Sequence, residues 1–403
     1  MAALSPSTRC ALIADLCAVQ AEVSAGVVPG RARGDDKIWA VWAKFASTLG
    51  LDPFLQPLRD PVPLLQVFAR RVRDGRLALD GKPVRARTSE GYLRAVGQTF
   101  ARLGQIDPRL NAYGDIDFRI QRQLRGWKRD DPAPARVKPL PVGLIHYTFR
   151  QLMDDGSARC QSLAWLCYVA FYFLMRPGEY CDSGEAAHPF RWCDVTLRIG
   201  DRILDTVHCT ASSLCVNDFA TLTFTTQKSG VRGEIVGHGA SGALHACPCR
   251  ALAELILLLR QHDAPYDAPL ASYREQPGGP LLQLTSPAFT AALRGAARLH
   301  GAEFGLEPSD VTASCFRTTG AMALFCGGVD SSRIRLLGRW QSWTMLRYLH
   351  LQARQSTRGM SERMLRGGNI QLLAPAQVPD ANPEPPDVPP AVVPNPQEDF
   401  EQA

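Results

Sequence analysis

Ser314-Cys-Phe-Arg317-Thr-Thr-Gly-Ala-Met-Ala323, followed by Leu337-Gly-Arg339-Trp340 and by Met345-Leu-Arg-Tyr348-Leu-His350, is the stretch on which the reading of this chain turns. Three helices are expected between Ser314 and about Gln355, with small residues after Arg317 that let the first pack closely. In a helix over Trp343–Gln355, Leu346, Leu349 and Ala353 share one apolar face, and Tyr348 sits about 100° from Leu349 around the axis. It is therefore off the centre of the buried stripe. A lone helical tyrosine is ordinarily a packing residue, so its meaning depends on what else the chain supplies.

Upstream, Leu163 to Met175 is an almost continuous apolar run that predicts a buried helix, and it ends in Phe173-Leu-Met-Arg176-Pro-Gly-Glu179. A guanidinium leaving such a helix needs a partner, because an unpaired buried charge is costly; Glu179 is the structural candidate. Thr221 to Thr226, then Lys228-Ser-Gly230, then Gly233 to Val236, read as a hairpin with Lys228 at its turn. By itself a turn lysine is merely solvated. Ala251 to Leu259 predicts a further helix, and residues 260–310 a connector and a helix.

The chain is long enough for two domains and a tail, and its 45% hydrophobic and 21% charged residues are ordinary for a soluble globular protein. Its net charge of +6 permits nucleic-acid binding without requiring it. The distribution is more telling: Arg31 to Lys138 holds 22 Lys/Arg against 12 Asp/Glu, whereas residues 371–403 hold six acids and no base. A basic front faces phosphates more readily than an acidic tail does. Nine prolines in those last 33 residues predict disorder there. Asp15 and Glu22 interrupt the first apolar run, predicting no signal peptide, and no stretch of 18 apolar residues predicts a membrane span. The twelve scattered cysteines are expected to be reduced and mostly buried. Cys247 and Cys249, with His245 near them, are read as structural, with no metal expected.

Four helical patterns follow residue 34. Asp35-Asp36 caps a stripe of Ile38, Val41, Trp42, Phe45 and Leu49; Val62 to Ala69 starts a helix running into Arg70, Arg71 and Arg73; Thr88-Ser-Glu90 precedes Tyr92, Leu93, Val96, Phe100 and Leu103; the fourth spans Phe118 to Lys128. The expected organisation is an extension over 1–34 with a flexible Gly30–Gly34 connector, a helical domain over 35–128, a proline-rich linker over 129–142, a domain over 143–370 and a tail over 371–403. The fold class expected is mainly α with a small β-sheet (α+β).

Arg176-x-x-Glu179, the hairpin Lys228, the helix-opening Arg317, Leu337-Gly-Arg339 and Tyr348 together resemble the tyrosine recombinase (phage-integrase) family over about residues 36–370. The Arg-Trp pair at 339–340 and the Cys247-Pro-Cys-Arg-Ala-Leu252 run resemble those of eukaryotic mobile-element recombinases of the Crypton and DIRS-like groups. The resemblance implies a helical, SAM-like core-binding domain and a catalytic domain that cleave and rejoin double-stranded DNA through a 3′-phosphotyrosine, with no cofactor, metal or ATP. It implies Tyr348 as nucleophile, Lys228 as the acid that protonates the leaving 5′-oxygen, and Arg176, Arg317, Arg339 and Trp340 around the phosphate. It further implies a homo-tetramer on paired sites, with Ser356 to Gly367 as a helix passed to a neighbour, no small-molecule substrate or membrane partner, and an intracellular location, the nucleus in a eukaryote. Arg70, Arg71, Arg73, Arg76, Arg87, Arg94, Lys128 and Arg129 are the expected DNA-binding side chains of the helical domain.

Two positions depart from the family pattern. Ser314 stands where a histidine precedes the second arginine by three residues, and Arg339 stands where Leu-Gly-His is usual. Serine can hydrogen-bond a phosphate but is no base near neutral pH. These departures motivate an alternative, a DNA-binding relative that has lost cleavage; the retained Arg176, Lys228, Arg317 and Tyr348 weigh against it. A type IB topoisomerase is a third reading, disfavoured by the short hairpin and by Leu-Gly-Arg-Trp.

Overall fold

The structure is a computed structural model that describes residues 5–27, 29–56, 58–133, 137–184, 187–225 and 233–340, with Ser342, Leu346 and Leu349. Lys228, Tyr348, the helix expected after Trp343 and the tail lie outside the described residues. The chain divides into two compact units, Met1–Ala135 and Arg136–Ala403. The whole is mainly helical with a small antiparallel sheet, as the fold class expected.

The first unit contains α1 (Pro6–Ala25), α2 (Pro29–Thr48), α3 (Val62–Arg73), α4 (Ala86–Arg102) and α5 (Phe118–Asp130). Periodic apolar residues of α2 to α5 meet in one core in which Trp42, Phe45, Leu65, Phe68, Leu93, Val96, Phe100 and Ile120 are buried. Trp42 crosses Phe68 edge to face at 5.0 Å and donates its indole N–H to the Pro53 carbonyl at 2.9 Å, so the largest side chain is both packed and satisfied. Three expectations change here. Helix α2 begins at Pro29, so Gly30–Gly34 is helical and no flexible connector. Asp35 and Asp36 lie inside it, not at its cap, where they pair with Arg31 at 3.8 Å and Arg102 at 3.1 Å. Leu49 and Leu103 fall just past the ends of their helices and are exposed. The last helix also continues two residues beyond Lys128, to Asp130.

The second unit opens with α6 (Val142–Asp155) and α7 (Ala158–Tyr172), then the one-turn α8 (Pro177–Tyr180). A four-stranded antiparallel sheet follows, in the order β2 (Arg202–Ile203), β1 (Val195–Ile199), β3 (Phe219–Phe224), β4 (Glu234–Gly239), with the short α9 (Ala211–Cys215) between β2 and β3 in sequence. The hairpin β3–β4 pairs Leu222 with Val236 and Phe224 with Glu234. Helix α10 (Pro248–Gln261), a two-stranded ladder of β5 (Ser272–Tyr273) and β6 (Leu282–Gln283), α11 (Ser286–His300), α12 (Cys315–Cys326) and α13 (Ser331–Leu337) complete the unit.

Helix α7 is the pillar of this unit. Ser157 caps it by accepting the Cys160 N–H at 3.3 Å. From Ser162 to Phe171 every residue is buried, which is why its sequence shows no amphipathic period. Its last turn closes on Leu174, a leucine at φ +50°, with Met175 N–H returning to the Ala170 carbonyl at 3.0 Å. Helix α12 crosses this end where Gly320 has no side chain: a Cβ there would lie 2.5 Å from the Phe171 carbonyl oxygen. The small residues after Arg317 thus do permit close packing. Of the twelve cysteines, all unpaired, five are buried and four half-buried, while Cys10, Cys17 and Cys326 stand exposed against expectation. Among the described residues, no helix is long and apolar enough to cross a membrane.

Candidate active site

The positive-φ turn after α7 aims the carbonyls of Phe173 and Leu174 away from their own helix. Such carbonyls lack intrahelical donors and carry the negative end of the helix dipole. Two buried arginines from distant segments satisfy them. Arg317, in the first turn of α12, donates Nη1 to the Leu174 carbonyl at 2.8 Å and Nη2 to that of Gly338. Arg339 donates Nη1 to Phe173 at 3.0 Å and Nη2 to Leu174 at 3.4 Å. The Leu174 oxygen is thus shared by both.

Arg176 follows two residues later. Pro177 and Glu179 turn the chain into α8, and Glu179 accepts the Arg176 backbone N–H at 2.8 Å, as an acidic third residue of a helix does. The same carboxylate takes the Arg176 guanidinium at 3.4 Å and Arg339 Nη2 at 3.0 Å. The ion pair expected for Arg176 is therefore present, but Glu179 divides itself between two arginines. Arg339 lies with its Cζ 3.8 Å from the ring centre of Phe224, the last residue of β3, and Arg317 lies 4.3 Å from that of Trp340. Trp340 packs with Leu174, Ala321, Met322, Ile334 and Leu349. Burial draws the Arg339 pKa down, with Arg176 adding to the effect and Glu179 and Glu234 opposing it. It stays protonated, since a guanidinium titrates far above neutrality.

Arg176, Arg317, Arg339 and Trp340 are thus brought into one cluster. Ser314 is placed just before α12 and is exposed, with its hydroxyl making no cap bond. Lys228 and Tyr348 are outside the described residues, but the cluster includes Phe224, four residues before Lys228 and under Arg339, and Leu349, which follows Tyr348 and lies beside Leu174 and Trp340. A cleft of about 400 Å³ opens beside Glu179 and Phe224, lined also by His188, Arg191, Asp194 and Gln283. Three guanidinium groups thus gather at a site whose carboxylate, Glu179, bonds two of them, Arg176 and Arg339, an arrangement that favours an anion.

In the first unit the eight expected DNA-binding side chains divide by environment. Arg70, Arg87 and Arg129 are exposed, and Arg94 is half-buried. Arg71 lies over Phe45 at 5.3 Å. Arg73 is held between Asp131 at 2.9 Å and the Trp127 ring at 5.1 Å, a structural use of its charge. Arg76 pairs with Asp74, and Lys128 with Glu90 at 2.8 Å. Cys247 and Cys249 are buried at the start of α10, where Cys249 donates its thiol to the His238 carbonyl at 3.5 Å. Sequence reading missed Leu174 and Phe224 as parts of the site. It also missed Arg294 and Arg298, which line a groove of α11 with Ser286, Pro287, Thr290 and Ala291. Thr290 accepts the N–H of Ala313, next to Ser314, at 3.1 Å.

No family model matches the chain, and no curated protein does. Solved structures similar to it are integrases and recombinases. The Tn1549 transposon integrase in complex with circular intermediate DNA is 14% identical, over 87% of this chain and 98% of that one, with a TM-score of 0.48. The same integrase with transposon right-end DNA is 14% identical over 81% and 99%, at 0.41. XerA recombinase is 13% identical over 88% and 97%, at 0.35.

Proposed function

We propose that the chain is a tyrosine recombinase that cleaves and rejoins double-stranded DNA at specific sites. The observation that carries this reading is the meeting of Arg176, Arg317 and Arg339, from three separated segments, at one helix end beside a carboxylate that Arg176 and Arg339 share. A pentacovalent phosphorane carries more negative charge on its nonbridging oxygens than the diester does, and preorganised guanidinium donors stabilise that increment. Tyr348 is the proposed nucleophile: its phenolate attacks phosphorus, the 5′-oxygen leaves with a proton from Lys228, and the phosphotyrosine retains the bond energy for religation. Chain connectivity supports both assignments. In sequence Tyr348 directly precedes the buried Leu349, and Lys228 follows Phe224 by four residues.

A phenol with an ordinary pKa near 10 requires activation. With Ser314 in the histidine position, the surrounding positive charge supplies it by favouring the phenolate. The second reading, a DNA-binding relative without cleavage, is favoured by the inward hydrogen bonds of Arg317 and Arg339 and by Ser314. Assembly as a tetramer on paired sites inside the cell follows from the first reading.

The test is covalent trapping on nicked suicide duplexes carrying randomised sites, with wild type compared to Tyr348→Phe. An adduct from wild type and none from the variant supports the recombinase and, by sequencing, gives the site. Salt-sensitive binding with no adduct from either protein supports the second reading.

A further inference from the structure

We propose that Arg339 is a positioning residue that acts through Glu179 on Arg176, rather than a group that contacts the phosphate. The inference rests on the recombinase reading for its role in cleavage. It starts from where the Arg339 side chain points. That side chain is 1% exposed. Its terminal nitrogens reach Phe173 O at 3.0 Å, Leu337 O at 3.3 Å, Leu174 O at 3.4 Å and Glu179 Oε2 at 3.0 Å, and one face is closed by Phe224. No donor of this set is left at the surface, whereas the Arg176 side chain remains 20% exposed.

The consequence lies in how Glu179 is used. Charge-assisted N–H···O⁻ bonds run to about 2.7–2.9 Å when nothing competes. The Arg176 guanidinium meets Glu179 Oε1 at 3.4 Å, while Oε2 is taken by the Arg176 backbone N–H and by Arg339. Arg339 therefore turns the carboxylate away from a bidentate pair with the Arg176 side chain. Without Arg339, Glu179 is free to close on Arg176 and neutralise the one guanidinium of the cluster that reaches solvent. Other charged groups facing Arg339 are consistent with this: Arg176 repels it and Glu234, on β4, attracts it.

Arg339 sits at φ +57°, so the variant must tolerate a left-handed backbone; Arg339→Asn does. Its single-turnover cleavage rate should fall about a hundredfold, the scale of a misplaced catalytic group, with DNA affinity and salt slope unchanged. Adding Glu179→Gln, whose neutral amide cannot sequester Arg176, should restore the rate to within about tenfold of wild type. A phosphate-contacting Arg339 would instead lower the salt slope by about one and gain nothing from Glu179→Gln; that result overturns the proposal. A second measurement is independent of cleavage. Phenylglyoxal modification of Arg176, followed by peptide mass mapping, should slow several-fold in Arg339→Asn and recover in the double variant. Should wild type form no adduct, the recombinase reading fails, and this modification rate alone decides the Arg339–Glu179–Arg176 linkage. An unchanged rate overturns it.

Discussion

Replacing Gly320 by alanine isolates the contact on which the arginine cluster is built. The new Cβ would lie 2.5 Å from the Phe171 carbonyl oxygen, 2.8 Å from Leu174 Cγ and 3.1 Å from its Cδ1. The nearest obstacle is backbone at the end of a buried helix, which cannot swing aside as a long side chain would. Two effects oppose each other. Alanine improves helix propensity by about 1 kcal/mol over glycine, and overpacking a filled site costs about 1–3 kcal/mol. With a backbone atom as the obstacle the upper half of that range applies, so the net loss should be about 1–2 kcal/mol. For a unit of this size that is about 2–8 °C in thermal midpoint. The control is Gly295→Ala, in the middle of α11, where an added Cβ meets nothing within 4 Å; it should gain about 0.5–1 kcal/mol. Differential scanning calorimetry that resolves the transitions of the two units gives both values. A Gly320→Ala midpoint equal to or above wild type, with the Gly295→Ala gain intact, would refute the close crossing of α12 over α7.

Other consequences are narrower. Ser314→His places an imidazole at an exposed site before α12; the cleavage rate should rise and its pH profile should acquire an ionisation near 6.5, and a flat profile with no gain argues against phenol activation from this position. Alanine at Arg70, Arg87 or Arg129, all exposed, should each lower the slope of log K against log salt by about one. Arg73→Ala should leave the slope alone and lower the stability of the first unit, because Arg73 is engaged by Asp131 and Trp127; salt-titrated binding and melting separate the two. Asp131 accepts the Ala86 N–H at 2.7 Å as well as the Arg73 ion pair. Despite its burial, these bonds hold its pKa below the usual 3.8. A depressed carboxylate stabilises the fold fully above its unfolded pKa and loses that contribution as pH falls through the folded one. Asp131→Ala should therefore cost about 1–2 kcal/mol at pH 7 and make the first unit less sensitive to acid below about pH 4, as read from urea midpoints across pH.

The elements legible in the sequence were those whose burial has a period. Trp42 and Phe45, Leu65 and Phe68, Tyr92 and Val96 repeat every three or four residues because each helix has one dry face. The unbroken apolar run of α7 was legible for the opposite reason, being dry all round. Strand β2 was not, because two residues show no period and both are exposed; β1 alternates over Val195-Thr-Leu-Arg-Ile199, a signal that was present in the sequence but short enough to be passed over. The start of α2 was misplaced by six residues. Glycine and arginine at 30–34 look like a connector, and Asp35-Asp36 look like a cap, but arginines on the same and neighbouring helices satisfy those aspartates from inside the helix. Local capping chemistry lost to tertiary pairing.

At the site, the sequence offered residue types and order, and these sufficed to nominate Arg176, Arg317 and Arg339 together. It could not show that Arg317 and Arg339 meet on backbone carbonyls, since a carbonyl has no letter of its own. The acceptors that bring them together belong to Phe173, Leu174 and Gly338, and they are available only because Leu174 adopts φ +50° and Arg339 φ +57°. Non-glycine residues pay about 1–2 kcal/mol for such conformations. That strain is retained at two positions of one cluster, each supported by hydrogen bonds to a buried guanidinium, and such strain persists where the surroundings over-determine it. An arginine that merely filled a core would need no strained turn to receive it. The turn at Leu174 presents one oxygen to both Arg317 and Arg339, and two residues later Arg176 leaves the same turn toward solvent with half a carboxylate for a partner. The geometry thus separates two arginines that hold the helix end from one that remains available to an anion, a division of labour that residue identity alone could not reveal.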